Sequence, residues 1–325
     1  MKKIIGIGNS LVDVLVRLAD DSLLLTMDLP KGSMQLIDAS GRARMAAQMA
    51  AMDCRKASGG STANTIKALA NMGVCSAFIG KVGDDGDGRF YREDLERVGI
   101  RTQLAVKPGC ASGVASTFIS PDGQRTFATY LGASALLAPD DVTPSMLEGY
   151  HIIYVEGYLV QNHALMTHVM TLARTMGLTV CLDLASYNVV QADLAFFREL
   201  VTDYVDIVFA NEEEAIAFTG KEGADAAREL RQLCRVAVVK QGPAGACVCC
   251  GDDFAMAPAE VVPQVVDTTG AGDYFAAGFL YGWGNGWTLD RCLEWGGRLA
   301  AQVIQVVGTT LPDTTWVELK NSKTI

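Results

Sequence analysis

The sequence predicts an α/β protein: a doubly wound, mostly parallel sheet with helices on both faces, and a small β-sheet lid beside it. Three observations predict this. From about residue 135 onward, short apolar runs alternate with stretches of helical periodicity. The runs Ile152–Val155, Leu178–Asp183, Ile207–Ala210 and Val236–Lys240 are apolar on both faces, as strands are when helices must cover both sides of a sheet. Two other stretches, 14–37 and 102–131, break the rhythm, and neither holds a helix long enough to cover a sheet.

Taken in order, Lys2-Lys3 and the apolar run from Ile4 to Val16 imitate a signal peptide, but Asn9 and Asp13 interrupt the run and no small-residue cleavage site follows. The segment reads as a first strand entering a loop. Val14–Ile37 is loop-rich. Helices are expected near 42–52, 61–72 and 86–98, with a strand at Ser76–Lys81 between the last two. Residues 102–131 hold three strand-like runs, punctuated at Pro108-Gly109 and Pro121-Asp122-Gly123. Helical spacing then covers His163–Met176, Glu212–Phe218 and the apolar Tyr274–Trp283. The α/β core is therefore expected from 1–13, 38–101 and 132–325, and the lid from two insertions at 14–37 and 102–131. A flap at the edge of a doubly wound sheet is a natural cover for a site.

Composition narrows the partners. Half of the 325 residues are hydrophobic and a fifth are charged, so the chain can build a sizeable core. Its formal net charge is −10, which argues against a broad basic face for nucleic acid or an anionic membrane. A bound phosphate would have to meet a local positive field: a helix N-terminus, a cation, or one or two side chains. Nine cysteines scattered through a long chain suit a reducing cytosol, and no apolar stretch reaches the 18 or so residues of a membrane span. A soluble, cytoplasmic protein is expected. Cys247, Cys249 and Cys250 have no second CxxC or histidine pair to complete a metal site, and read as small strand residues.

Five segments carry chemistry. Gly6-Ile-Gly8-Asn-Ser-Leu11 lacks the third glycine of a dinucleotide fingerprint, leaving a strand-end loop that presents Asp13. That carboxylate can accept hydrogen bonds from two neighbouring sugar hydroxyls, or be an ordinary turn or lid-hinge group. Ser58-Gly59-Gly60-Ser61-Thr62-Ala63-Asn64 opens a helix, with Ser61 or Thr62 as its cap and Asn64 able to meet a substrate hydroxyl; a plain loop-to-helix turn reads the same way. Asp267-Thr268-Thr269-Gly270-Ala271-Gly272-Asp273 runs into an apolar helix. Small residues there leave amides bare, and with the helix dipole they make an anion hole that holds phosphate without lysine or arginine. Asp273 beside a phosphate suits a general base facing an acceptor hydroxyl. Asn211 and Glu214, at i and i+3 on a starting helix, suit hydrated Mg²⁺ and phosphate oxygens, while Glu212 and Glu213 need only complement the dipole. Lys240, Gly242 and Gly245 form a further strand-end loop near a nucleotide. No GxxxxGK[ST] is present.

The order and spacing of GG…N at 59–64, NxxE at 211–214 and DTTGAGD at 267–273 resemble the ribokinase-like (PfkB) carbohydrate and nucleoside kinases, across essentially the whole chain. GGSTANTIKALANMG, Pro121-Asp-Gly-Gln-Arg125 and Tyr130-Leu-Gly-Ala-Ser134 look most like the adenosine-kinase branch. The resemblance implies a Rossmann-like core with a β lid, and an ATP- and Mg²⁺-dependent kinase acting on a primary hydroxyl. The acceptor would be a nucleoside such as adenosine, with a free sugar as the alternative; Asp273 and NxxE speak against a non-catalytic sugar- or nucleotide-binding regulator. It implies Asp273 as base, Gly270, Ala271 and Gly272 as anion hole, Asp13, Gly59, Gly60, Asn64 and Glu156 as acceptor contacts, and Asn211 and Glu214 as the Mg²⁺/phosphate element. Many members also bind a monovalent cation such as K⁺, here through Asp267, Thr269, Val303, Val306 and Gly308. Asp183 lies at a strand end within reach of the site. Met34, Leu36, Phe118 and Phe127 are lid residues that could flank a base, or form the lid's own core. The expected state is a monomer or a homodimer paired through the lid.

Overall fold

The computed structural model describes residues 1–122 and 124–322; Gly123, in the expected turn at 121–123, lies outside them. In chain order the strands are β1 (Ile4–Ile7), β2 (Leu11–Arg17), β3 (Met34–Leu36), β4 (Cys54–Gly59), β5 (Ser76–Gly83), β6 (Arg101–Lys107) and β7 (Gly113–Ile119). They continue with β8 (Arg125–Tyr130), β9 (Ile152–Glu156), β10 (Thr179–Asp183), β11 (Ile207–Asn211), β12 (Val236–Lys240), β13 (Ala246–Cys250) and β14 (Asp253–Ala257).

Nine strands form one sheet in the order β14-β13-β12-β11-β10-β9-β1-β5-β6. From β12 to β6 every neighbour is parallel, and β13 and β14 extend one edge antiparallel. The side-chain alternation of a strand feeds two cores. Ile152 and Tyr154 of β9 face one core, which also takes residues from the helices Ser61–Asn71, Ala271–Gly284 and Leu289–Val303. Ile153 and Val155 face the other, under His163–Thr175, Leu194–Asp203 and Gly223–Arg231. This is the doubly wound arrangement expected. Cys247 and Cys249 are buried on β13. The strand order reverses between β1 and β9, and open α/β sheets take their ligands outside the carboxyl ends of the strands at such a point.

The second sheet has the order β3-β8-β7-β2-β4, and its membership differs from expectation in three ways. Strand β6 pairs parallel with β5, Ala77 opposite Arg101, and so edges the large sheet. Strand β4 joins the small sheet, antiparallel to β2. Its sequence Cys-Arg-Lys-Ala-Ser-Gly is exposed over the first half and carries no apolar alternation to announce a strand. Finally, β2 begins at Leu11, so Asp13 sits on a strand of the small sheet rather than in a loop. Among the described residues no helix is long and apolar enough to cross a membrane.

Candidate active site

Two helix starts meet at the carboxyl end of the large sheet. Gly60 (φ +93°) precedes Ser61–Asn71 and Gly270 (φ +77°) precedes Ala271–Gly284. Both glycines stand in the left-handed region, which a side chain would strain. A Cβ on Gly60 would also fall 2.2 Å from the Asn9 carbonyl oxygen. Across this junction Asp273, in the first turn of its helix, receives Ser61 Oγ at 2.7 Å on Oδ1 and Asn64 Nδ2 at 2.9 Å on Oδ2. Ser61 is thus a partner of Asp273 and not the helix cap; the cap position is Gly60. Asn64 is itself oriented by Thr309, whose Oγ1 donates to Asn64 Oδ1 at 2.9 Å. Burial pushes the Asp273 carboxyl up to about 6, against the downward pull of the Ser61 and Asn64 hydrogen bonds.

The cleft around Asp273 has a volume of about 1180 Å³. One end is lined by Asp13, Asn64, Met34, Leu36, Phe127 and Leu131. Among the described residues no hydrogen-bond donor reaches the Asp13 carboxylate. Burial pushes it up to about 7, opposed by the charge of Lys67 and reinforced by that of Asp273. Gly59 makes this placement possible: a Cβ there would lie 2.2 Å from Asp13 Cγ. Gly59 itself does not line the cleft, so its part is to leave room. Phe118 takes the second of the two parts expected of it: it is fully buried in the core, on the inward side of β7, and does not line the cleft.

Glu156 has a second part to play. It is 1% exposed, and its Oε1 accepts from Asn9 N at 2.9 Å and Asn9 Nδ2 at 2.6 Å. Its Oε2 accepts from Thr62 N at 3.1 Å. Both oxygens are therefore engaged at the switch point, tying the β1–β2 connection to the start of Ser61–Asn71. Burial pushes its carboxyl up to about 7. It lines the same cleft, so it also stands where the acceptor contact expected of it would be made.

The other end of the cleft is lined by Asn211, Glu214, Lys240, Gly242, Gly245 and Gly272 among others. Asn211 and Glu214 form a reciprocal capping box: Glu214 N donates to Asn211 Oδ1 at 2.8 Å, and Asn211 N to Glu214 Oε2 at 2.8 Å. Asn211 Nδ2 adds a bond to Glu214 Oε1 at 2.7 Å. The pair is preorganised rather than free, yet both residues line the cleft. Burial pushes Glu214 up to about 7, with Lys240 pulling the other way. Among the described residues no group of three or more His, Cys, Asp or Glu could hold a metal ion.

The anion hole differs from the expected one in two respects. The Ala271 amide is given to the Thr268 carbonyl at 3.1 Å, so the amides of Gly272 and Asp273 are the ones left without an acceptor among the described residues. A lysine is also present. A Cβ on Gly272 would stand 3.2 Å from Lys240 Nζ, which donates to Asp183 Oδ2 at 2.9 Å. Burial alone would lower the Lys240 pKa, but Asp183 and Glu214 outweigh it and hold the ammonium charged. Asp183 is fastened by Lys240, Tyr154 Oη and Ala185 N.

Of the residues expected around a monovalent cation, Thr269 and Gly308 meet the Asp267 carboxylate. Its Oδ1 accepts from Thr269 N at 2.9 Å and its Oδ2 from Gly308 N at 2.7 Å. Arg125 Nη1, from β8 of the small sheet, pairs with the same Oδ2. The Val303 carbonyl accepts from Val306 N at 3.2 Å. A second cation does not fit this arrangement as it stands. Sequence reading did not single out Arg125 beyond its motif, since nothing in the chain signals that a turn residue reaches a carboxylate 142 positions away.

A family model described as pfkB family carbohydrate kinase matches residues 32–316. The crystal structure of adenosine kinase from Sinorhizobium meliloti is similar with a TM-score of 0.87 and 34% identity, covering 99% of each chain. A probable sugar kinase protein from Rhizobium etli CFN 42 is similar with a TM-score of 0.88 and 31% identity, covering 100% of this chain and 99% of the other. An uncharacterized sugar kinase of Archaeoglobus fulgidus is 27% identical over 245 residues, 74% of this chain and 95% of that one.

Proposed function

The chain belongs to the pfkB family of carbohydrate kinases, and from that premise we propose that it transfers the γ-phosphate of ATP to the primary hydroxyl of a nucleoside, adenosine-like in shape. That it is an ATP-dependent phosphotransferase with an alcohol acceptor follows from the family and from its kinase relatives. The choice of acceptor is the proposal, and one observation carries it. The acceptor end of the cleft pairs an unpartnered carboxylate, Asp13, with an apolar wall in which Met34 and Leu36 are 58% and 61% exposed. A nucleoside has a face for each: two neighbouring ribose hydroxyls donate to Asp13, and the base lies against Met34, Leu36 and Phe127. A free sugar, hydroxylated all round, has nothing to place on that wall. The sugar-kinase names of several relatives keep the free sugar as the second reading.

The chemistry follows from the geometry. Ser61 and Asn64 hold the Asp273 carboxylate at the junction between the two ends of the cleft. The primary hydroxyl gives its proton to Asp273 as its oxygen attacks the γ-phosphorus; the bond to the β-phosphate oxygen breaks and ADP leaves. A carboxylate pushed up to about 6 stays ionised at neutral pH while remaining a better base than an exposed one. The amides of Gly272 and Asp273 and the ammonium of Lys240 face the charge that develops on the phosphoryl oxygens. Asn211 and Glu214 would hold Mg²⁺ through water, and the ion, when bound, neutralises phosphate charge. Gly242 and Gly245 lie on the same wall, toward the nucleotide.

Calorimetric binding separates the two acceptors. Adenosine is expected to bind at least about tenfold more tightly than ribose, a modest demand on an apolar wall the size of a base. Asp13→Asn is expected to weaken both, with ATP binding intact. Equal binding of ribose and adenosine would remove the base from the proposal.

A further inference from the structure

We propose that Arg125 is a built-in cation: brought down by the lid, its guanidinium takes the place beside Asp267 where a monovalent ion would otherwise stand, so that turnover needs no such ion. The inference rests on the phosphotransferase reading for its activity test alone.

Asp267 opens the DTTGAGD segment that runs into the anion hole, and its side chain is 2% exposed. Its oxygens receive Thr269 N and Gly308 N, which orient the carboxylate but leave its negative charge in place. A charge so buried calls for a counter-charge. Arg125 supplies it through Nη1, with Thr269 Oγ1 a further 3.4 Å neighbour, and is itself only 13% exposed. Guanidinium is charged at every working pH and offers several fixed donors, so it can replace a coordinated alkali ion at a carboxylate in a way a neutral side chain cannot. No other cation–carboxylate pair joins Asp267 among the described residues.

The position of Arg125 gives the arrangement a consequence. It is the first residue of β8, whose Phe127 lines the acceptor end of the cleft and whose neighbour β3 carries Met34 and Leu36. On β2 of the same sheet, the Leu15 side chain comes within 3.4 Å of where a Cβ on Gly308 would stand. The guanidinium and the acceptor wall therefore belong to one sheet. Delivery of the charge to the anion-hole turn is coupled to closure over the acceptor, whereas a diffusible ion could bind with the lid in any position.

The test compares K⁺ with choline at equal ionic strength, in two readouts: thermal unfolding of the free enzyme, and ADP formation with the best acceptor. For the wild type both are expected to be the same in the two salts, activity within about twofold, and Arg125→Lys should remain indifferent. Arg125→Gln is expected to lose activity about tenfold or more in choline, to recover a large part of it in K⁺, and to gain a K⁺-specific rise in melting temperature. These magnitudes are those of one charge-assisted contact. A wild type that K⁺ stabilises or activates would overturn the proposal, and needs no variant to fold. So would an Arg125→Gln variant that stays indifferent to K⁺ in both readouts. Absence of ADP formation with every acceptor would defeat the kinase reading instead, and the melting arm would still decide this one.

Discussion

Asp273 and Asp13 are both half-buried carboxylates lining the same cleft, and their surroundings divide the work. Asp273 is held on both oxygens by Ser61 and Asn64, while Asp13 has no partner among the described residues. A held carboxylate suits a group that must receive a proton at one place; an open one suits a group that must bind. Asp273→Asn keeps the size and can still meet Ser61, so the fold and ATP affinity are expected to persist. Turnover should fall by about 10² to 10⁴, the range of a lost general base. A rate within about threefold of wild type would return the role of base to another carboxylate. Asp273, Asp13 and Gly60 were singled out from the chain because each stands within a short motif, and all three line the cleft. The bonds that Glu156, Lys240 and Arg125 make could not be read from the chain, because each has a partner more than 50 residues away in sequence.

The large sheet was legible as elements because its strands are apolar on both faces and its helices keep a 3.6 period. The small sheet was only half legible. Its β7 and β8 show apolar residues and turn punctuation, but β4 is polar and β6 looks like a lid strand while pairing with β5. An edge strand carries no mark of which sheet it joins. The lid reading itself predicts motion at the element scale. With saturating adenosine, amide hydrogen exchange is expected to slow in Met34–Leu36 and Arg125–Tyr130 and to change little in β9 to β12, already buried in the core. Exchange that is unaltered in the small sheet would mean that it does not close over the acceptor.

For the whole molecule, an acidic chain holds four carboxyls at the cleft whose affinity for protons is raised: Asp13, Glu156 and Glu214 to about 7 and Asp273 to about 6, loss of water being the first cause of each. Between about 4 and 7 these groups bind protons more tightly folded than unfolded, so their contribution to stability is present at low pH and lost as pH rises through that window. Asp85 and Asp94, lowered by their Ser112 and Ser58 hydrogen bonds against the opposing effect of burial, act in the opposite sense and lose their contribution only as pH falls below about 4. The melting temperature of the free enzyme is therefore expected to fall from pH 5 to pH 8, and a rise over that range would contradict the raised proton affinity of the four. The site accepts this strain because the same loss of water makes Asp273 a competent base and leaves Asp13 ready for hydroxyl donors. The central claim, a kinase for nucleosides, is tested most directly by ADP release with each of adenosine, inosine, guanosine, ribose, fructose and ketodeoxygluconate, the phosphorylated product being identified by mass. The account predicts that adenosine is turned over with the highest kcat/KM and yields its 5′-monophosphate; turnover of free sugars with none of the nucleosides would contradict it.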